Sequence, residues 1–122
     1  MLLELKLPKI SEQMDTALIE MIHGAEGSVL KLGSKLLDVS VDLSKAFSQN
    51  CPPVSYYRLV ARESVWLRQV CVRPGDHAAP GERLALFSTD GAEPLGGSPV
   101  REIRVMTAGI NGHEEMWSWS SH

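Results

Sequence analysis

Long apolar runs are missing from this sequence, and cysteine is scarce. No stretch approaches the roughly 20 apolar residues that a membrane-spanning helix needs. The opening residues, MLLELKLPKISEQM, lack the continuous apolar core and the cleavage site of a secretory signal peptide. The two cysteines, Cys51 and Cys71, are too few and too far apart to form the disulfide framework of a small secreted protein. We therefore expect a soluble, cytoplasmic protein with no membrane partner.

An excess of positive charge is also missing. The chain has 12 Lys and Arg against 15 Asp and Glu, for a formal net charge of −3. Binding to nucleic acid depends on a basic face, so we expect no nucleic-acid partner. Lysine does not occur after position 45, and the lysines are Lys6, Lys9, Lys31, Lys35 and Lys45. A function that needs a lysine amine must therefore use the first part of the chain.

Catalytic and metal-binding signatures are absent as well. Nucleophilic catalysis needs a nucleophile, a base and an orienting group close together, and no motif brings such a set together. His23 and Cys71 occupy equivalent positions of the repeat described below, but a metal site would need further ligands at defined distances. We therefore predict a non-enzyme with no metal site, in which His23 is a lone histidine and Cys71 is buried.

An internal repeat is the strongest pattern in the sequence. Three residues recur with a constant offset of 48 positions (75−27, 81−33 and 84−36): Gly27, Gly33 and Leu36 correspond to Gly75, Gly81 and Leu84. Self-similarity at a fixed period indicates a repeated structural unit. Because there are only two copies, we predict a domain with two-fold pseudo-symmetry. Glu20 and Arg68 share a repeat position, which we expect to face water in both halves.

Short apolar stretches separated by glycine and proline predict an all-β fold. Residues 2–7 and 17–23 are predicted strands, and 65–71 is the counterpart of 17–23 in the second repeat. Each repeat then has a span bounded by two glycines, which is typical of tight turns because glycine tolerates positive φ. No stretch predicts a long helix. Many short strands joined by such turns predict a small β-sandwich or β-barrel.

The segments between and after the repeats complete the predicted organisation. Residues 36–62 are expected to form one long hairpin with its tip near 48–53, where prolines and an asparagine favour a turn. A domain is predicted over residues 1–90, followed by a linker over 91–99. Within 100–122 we expect one edge strand, at 100–106, and then a disordered tail that contains Trp117 and Trp119.

Three segments, in this order and with this spacing, resemble the biotinyl/lipoyl attachment domain family: LKLPKISEQM, ALIEMIHGAEGSVLKLGSKLLDV and VWLRQVCVRPGDHAAPGERLALF. The similarity covers about residues 3–88, and Pro74-Gly75-Asp76 is an especially good match to the turn of the family's second half. The resemblance implies a flattened β-barrel (a barrel-sandwich hybrid) of two quasi-symmetric halves. In this chain the extended hairpin predicted over 36–62 would lie between them.

The same resemblance implies a function and a site. In the family, a lysine at the tip of a hairpin between the halves carries lipoate or biotin. Residues 40–46, SVDLSKA, are similar to the lipoyl motif Glu-Thr-Asp-Lys-Ala, whereas the biotinyl motif is absent. The resemblance therefore implies a lipoyl-domain-like carrier with Lys45 as the attachment residue, lipoate as the cofactor and Asp42 as a ligase-recognition residue. Its partners would be enzymes of a multienzyme complex and a lipoate ligase.

The chain departs from the family in the same region, which leaves a second interpretation open. In an ungapped alignment the lysine position holds Leu43, and Lys45 matches only after a shift of two residues. The predicted hairpin is also longer than the family's, so that Lys45 would lie on its rising strand rather than at its tip. The alternative is an unmodified lipoyl-like interaction module that binds a protein partner through its enlarged hairpin.

Overall fold

The computed structural model describes residues 1–12, 14–42 and 54–110. Within them the chain contains no helix and forms ten strands, which confirms the predicted all-β class. None of the described segments is a helix that could cross a membrane. The strands are β1 (Leu2–Lys6), β2 (Ala17–Ile22), β3 (Val29–Leu30), β4 (Lys35–Asp42), β5 (Val54–Ala61), β6 (Val65–Val70), β7 (His77–Ala78), β8 (Arg83–Ser88), β9 (Arg101–Glu102) and β10 (Val105–Ile110).

Two five-stranded sheets enclose the core. Sheet A has the order β3-β6-β8-β1-β9, and sheet B has the order β10-β5-β4-β2-β7. Alternate residues of the central strands point between the sheets, because side chains of a strand alternate between its two faces. The largest fully buried apolar side chains lie there: Leu3, Leu5, Leu7, Ile19, Val39, Val41, Leu59, Val65, Leu84 and Phe87. The opposite surface of each sheet is its outer face.

Each repeat contributes a short strand that pairs with a strand of the other repeat. Strand β3, from the first repeat, pairs with β6, and β7, from the second, pairs with β2. The backbone of Leu67 in β6 accepts a hydrogen bond from Gly27 at 2.7 Å and donates one to Ser28 at 2.9 Å. Ile19 in β2, its counterpart, makes the same two bonds with the second turn at 2.8 Å each. The two halves are therefore related by a pseudo-two-fold exchange, as the sequence repeat predicts.

The glycines of the repeat are required by the backbone. Gly27 and Gly33 have φ of 89° and 91°, and Gly75 and Gly81 have φ of 97° and 89°. These values lie in the region that residues with a Cβ rarely adopt. The prediction of tight turns at the glycines of each repeat is confirmed.

One loop differs in length between the two halves. The backbone of Leu7 pairs with Gly81 and Glu82, and Ala61 pairs in the same way with Gly33 and Ser34. Leu7 and Ala61 are therefore equivalent at an offset of 54 (61−7), rather than 48. The loop from β1 to β2 is thus six residues longer (54−48) than the loop from β5 to β6.

The predicted central hairpin is confirmed as far as it is described. Strands β4 and β5 pair in antiparallel fashion, and their described register ends at Asp42 opposite Val54. The predicted tip at 48–53 lies outside the described residues, as do Lys45 and Cys51.

The C-terminal part forms two edge strands, whereas the sequence predicted one over 100–106. Strand β9 pairs with β1 in parallel at the edge of sheet A, and β10 pairs with β5 in antiparallel fashion at the edge of sheet B. Residues 91–99, predicted as a linker, form no strand. The predicted tail over 111–122, with Trp117 and Trp119, lies outside the described residues. The sequence therefore predicted one edge strand in a region that contributes an edge strand to each of the two sheets.

Candidate functional site

The described part of the predicted attachment site is the end of strand β4. Asp42 is its last residue and is exposed, opposite Val54 of β5. Lys45 follows three residues later and lies outside the described residues, so its side chain is not described. The hairpin that joins the two repeats thus carries Asp42 away from the core, toward the segment that contains the candidate lysine.

A groove lies beside this end of the hairpin, on the outer face of sheet B. Its volume is about 430 Å³, which is within the size range of ligand-binding clefts. Strands β2, β4, β5 and β7 all contribute to it. The lining side chains that define it here are Leu18, Glu20, Ser40, Asp42, Tyr56 and His77. We call this the sheet B groove.

The sheet B groove combines acidic and apolar groups. Ser40 donates a hydrogen bond to Glu20 Oε1 at 3.2 Å, which orients this half-buried carboxylate. Leu18 and Tyr56 lie on either side of Ser40, because both pair with it in the sheet. The described lining carries two carboxylates, those of Glu20 and Asp42, and no lysine or arginine. Such a groove suits a ligand that is positively charged and partly apolar.

The sequence prediction for Glu20 and Arg68 is wrong in part. Both side chains are half-buried rather than fully exposed to water. Arg68 donates a hydrogen bond to Ser88 at 3.0 Å, as Ser40 does to Glu20, and Ser88 is the repeat counterpart of Ser40 (88−40 = 48). The β-bulges that place Glu20 and Arg68 also coincide, since the register of each strand shifts at that residue. A hydrogen bond between a charged side chain and a serine therefore occurs at equivalent positions of both halves. The charged residue is acidic in the first half (Glu20) and basic in the second (Arg68).

A buried ion pair lies on the same outer face, further along the hairpin. Arg58 Nε donates to Asp38 Oδ1 at 2.7 Å, and its Nη2 donates to Oδ2 at 2.9 Å. Asp38 is fully buried and Arg58 is 4 % exposed. The buried Nε2 of His23 is 2.9 Å from Asp38 Oδ2, although the contact lacks hydrogen-bond alignment. His23, which was predicted to be a lone histidine, thus has an acidic neighbour.

The charge of Asp38 is held in place by its neighbours. Burial alone would raise the pKa of this carboxyl, but the hydrogen bonds from Arg58 and the nearby imidazole of His23 lower it more, so the pKa lies below its usual range. Asp38 is therefore an anion at neutral pH although no water reaches it.

The equivalent place in sheet A has no such ion pair. At the repeat positions of Asp38 and Arg58 stand Leu86 and Glu4 (86−38 = 48 and 58−4 = 54), which also pair across their strands. Cys71 stands at the position of His23. The ion pair is consequently not a requirement of the fold, and among the described residues it occurs in sheet B, which contains the long hairpin, and not at the equivalent place in sheet A.

Cys71 is exposed, so the prediction that it is buried is wrong. Its backbone N–H donates to Leu84 at 2.8 Å, as that of His23 donates to Leu36 at 2.9 Å, which confirms that the two positions are equivalent. Strand β6 ends one residue earlier, and the side chain at this end turns outward. No group of three metal-ligating side chains occurs among the described residues.

The chain was compared with known proteins at the levels of family, sequence and structure. No protein-family model matches it, and neither does any curated protein sequence or any solved structure.

Sequence reasoning missed both the ion pair and the sheet B groove. The predicted hairpin, 36–62, is centred on residue 49 and would pair Asp38 with Val60. The register observed is centred on residue 48 and pairs Asp38 with Arg58. The predicted centre is off by one residue and the predicted partner of Asp38 therefore by two (60−58), which hid the ion pair, although opposite charges at 38 and 58 were a signal for the correct register. The groove had no comparable signal, because its lining comes from four strands.

Proposed function

We propose that this chain is a carrier module, a flattened barrel of two quasi-symmetric halves that presents a lysine-linked lipoyl arm to partner enzymes. Lys45 is the attachment residue. Its amine would attack the carbonyl of a lipoyl group that a ligase has activated; the amide bond forms as the bond from this carbonyl to the activating group breaks, the activating group leaves, and the amine loses a proton. The module itself would perform no further chemistry. Asp42, three residues before the lysine, would be read by the ligase.

The reciprocal exchange of β3 and β7 is the observation that carries this proposal. It gives a two-sheet domain in which one long hairpin joins the two repeats, and the candidate lysine lies in that hairpin. The arrangement is what the resemblance to the biotinyl/lipoyl attachment family implies. A rigid pair of sheets supports a projecting hairpin well, since the strands of the hairpin are each bonded to further strands.

The exposed end of the described hairpin supports the same proposal. Val54 and Asp42 are both exposed, whereas the middle of the hairpin is buried. A ligase needs access to residues around the lysine, and Asp42 offers an accessible carboxylate there. The segment 43–53 provides the only lysine of the hairpin beyond Lys35, which lies at its opposite end.

Intact mass tests the proposal directly. The chain is co-expressed with a lipoate ligase and lipoate, beside Lys45→Ala and beside Lys35→Ala as a matched control. We expect a lipoyl-sized increment in the unchanged chain and in Lys35→Ala, and none in Lys45→Ala. An unmodified but folded chain, with an ordinary lipoyl domain modified in parallel, would refute the carrier proposal.

The position of the lysine favours a second candidate function, an unmodified interaction module. Lys45 is displaced by two residues from the family's attachment position, and the connection from β4 to β5 is longer than a short family tip. In this case the hairpin itself contacts a protein partner. Lys45→Ala distinguishes the two candidates, because an interaction module keeps its partner when the amine is removed, and a carrier loses both cofactor and function.

A further inference from the structure

The chain covers the outer face of sheet A with a segment of its own. After β8, residues 91–97 pass over this face. A Cβ added at Gly91 would lie 3.0 Å from the indole ring of Trp66, and one at Gly97 would lie 3.7 Å from Leu2. On this outer face Leu2 is buried, whereas Trp66 stays about one-third exposed beside the segment (36 %). The segment crosses from β6 to β1, over the intervening strand β8.

The sheet B groove is the pseudo-symmetric counterpart of that covered surface. Leu18 corresponds to Trp66, Ser40 to Ser88 and Tyr56 to Leu2, at the offsets of 48, 48 and 54 given above. On sheet A the surface is occupied by a short stretch of extended chain. On sheet B the same three positions line a groove of about 430 Å³ that none of the residues 1–12, 14–42 and 54–110 fills.

The two surfaces differ in charge at one decisive position. On sheet A, the guanidinium of Arg68 lies beside the covering segment and donates to the backbone carbonyl of Asp90 at 3.3 Å. On sheet B, its counterpart is the carboxylate of Glu20, with Asp42 also in the lining. A segment that lies in the sheet B groove would thus meet negative charge, and a positively charged side chain would complement it.

We propose that the sheet B groove binds an extended segment of a partner protein through a basic side chain. The segment crosses β2, β4 and β5 as residues 91–97 cross sheet A. The ammonium or guanidinium group lies beside the carboxylate of Glu20, in a lining that also contains Asp42. Its methylenes pack on Leu18 and on the ring of Tyr56, as the apolar stems of lysine and arginine do on other apolar surfaces. This binding needs no modification of Lys45.

A random linear peptide library displayed on phage is the probe that tests this proposal. Selection is carried out on the unchanged chain, and selected peptides are then measured by fluorescence anisotropy against variants. We expect enrichment of peptides with arginine or lysine flanked by apolar residues. Glu20→Gln, which keeps an acceptor for Ser40, is expected to weaken binding about two- to fivefold, the range of a half-exposed ion pair. Added salt should weaken binding further.

A matched control locates the site. Glu82→Gln removes one exposed carboxylate outside the groove and is expected to leave affinity unchanged. Lys45→Ala is also expected to bind the selected peptides as before, which separates this test from that of the carrier proposal. Two results would overturn the inference: selected peptides that bind Glu20→Gln and the unchanged chain equally, or nuclear Overhauser contacts that place the chain's own residues on Leu18 and Tyr56 in the groove.

Discussion

Asp38 and Arg58 face each other across strands β4 and β5 and are joined by two hydrogen bonds of 2.7 and 2.9 Å, out of contact with water. The pair links the two strands of the hairpin at one register only. A shift by one residue would turn each side chain to the other face of the sheet, where the hydrophobic core lies. Leu86 and Glu4 at the equivalent place show that the fold tolerates an apolar residue there.

Removal of one partner of this pair is predicted to be far more damaging than removal of both. Arg58→Met leaves the Asp38 carboxylate buried without its main partner, which we expect to cost about 3–5 kcal/mol of unfolding free energy. The double variant Asp38→Leu/Arg58→Met removes both charges and should regain most of that loss, because well-packed apolar residues often replace buried ion pairs without penalty. Urea unfolding measures all three proteins.

The exposed pair of Arg101 and Glu63 provides the comparison. Its hydrogen bonds are similar in length, at 2.7 and 2.8 Å, but Arg101 is about one-third exposed. Arg101→Gln is expected to lower the unfolding free energy far less than Arg58→Met does, because an ion pair that water reaches contributes little to stability. Equal losses of unfolding free energy for Arg58→Met and Arg101→Gln would mean that burial of the Asp38–Arg58 pair does not increase its contribution to stability.

Glu63 is predicted to contribute stability that depends on pH. Its hydrogen bond from Arg101, opposed by burial and supported by the backbone of Arg104, lowers its pKa from 4.5 to about 2. A folded-state pKa below the unfolded value means that the stabilisation is complete above about pH 4.5 and is lost as the pH falls toward 2. The difference in unfolding free energy between the unchanged chain and Glu63→Gln should therefore shrink over this window. A difference that stays constant down to about pH 3 would contradict the expected ion pair.

Alanine substitutions at the equivalent glycines of the two repeats are predicted to lower the unfolding free energy by similar amounts. Gly27 and Gly75 have φ of 89° and 97°, and no atom lies within 4 Å of a Cβ placed at either, so the cost is the backbone conformation alone. Gly27→Ala and Gly75→Ala are each expected to cost about 1–2 kcal/mol. Thermal or urea unfolding would measure this loss.

Gly96 supplies the control for these substitutions. It also has open space around a Cβ, but its φ is not in the positive region. Gly96→Ala should leave stability unchanged or raise it by about 0.4–1 kcal/mol, because alanine restricts the unfolded chain. A loss at Gly96 as large as that at Gly27 would show that strain in the turn is not the cause.

Cys71 is predicted to react slowly for an exposed thiol. Partial burial of the sulfur raises its pKa above the ordinary 9.0, the charge of Glu26 adds to this, and Arg83 opposes it. The thiolate is the reactive form, so little of it is present near neutral pH. In a Cys51→Ser variant, alkylation by iodoacetamide, followed by intact mass, should be slower than that of glutathione and should still accelerate above pH 9. A rate that levels off below pH 8 would refute this.

Local patterns predicted a large share of the fold. The repeat of glycine and leucine predicted the glycine turns of both halves and their pseudo-two-fold relationship. It could do so because a backbone position with positive φ favours glycine, and such positions recur at a fixed spacing. Strands β1, β2 and β6 were predicted from apolar patterning, which depends only on neighbours in the sequence. The hairpin of β4 and β5 was predicted too.

What the sequence did not reveal depends on contacts between distant residues. Strands β3 and β7 contain two residues each, too few to show a period, and they exist only through their pairing with the other repeat. The partnership of Asp38 with Arg58 required a register correct to one residue. Val105–Ile110 was not predicted as a strand in full, since its edge position on sheet B leaves its pattern only weakly amphipathic.

The exchange of β3 and β7 makes the two halves mutually dependent. A polypeptide of half the length, with one repeat alone, would have no strand to complete its sheet and would need a second copy for this purpose. Such a homodimer would have the two-fold axis that the present chain carries within itself. In the single chain, Gly27 must reach Leu67, 40 residues away (67−27), before sheet A is complete, and Gly75 must reach Ile19 before sheet B is complete, so both sheets depend on long-range contacts between the repeats.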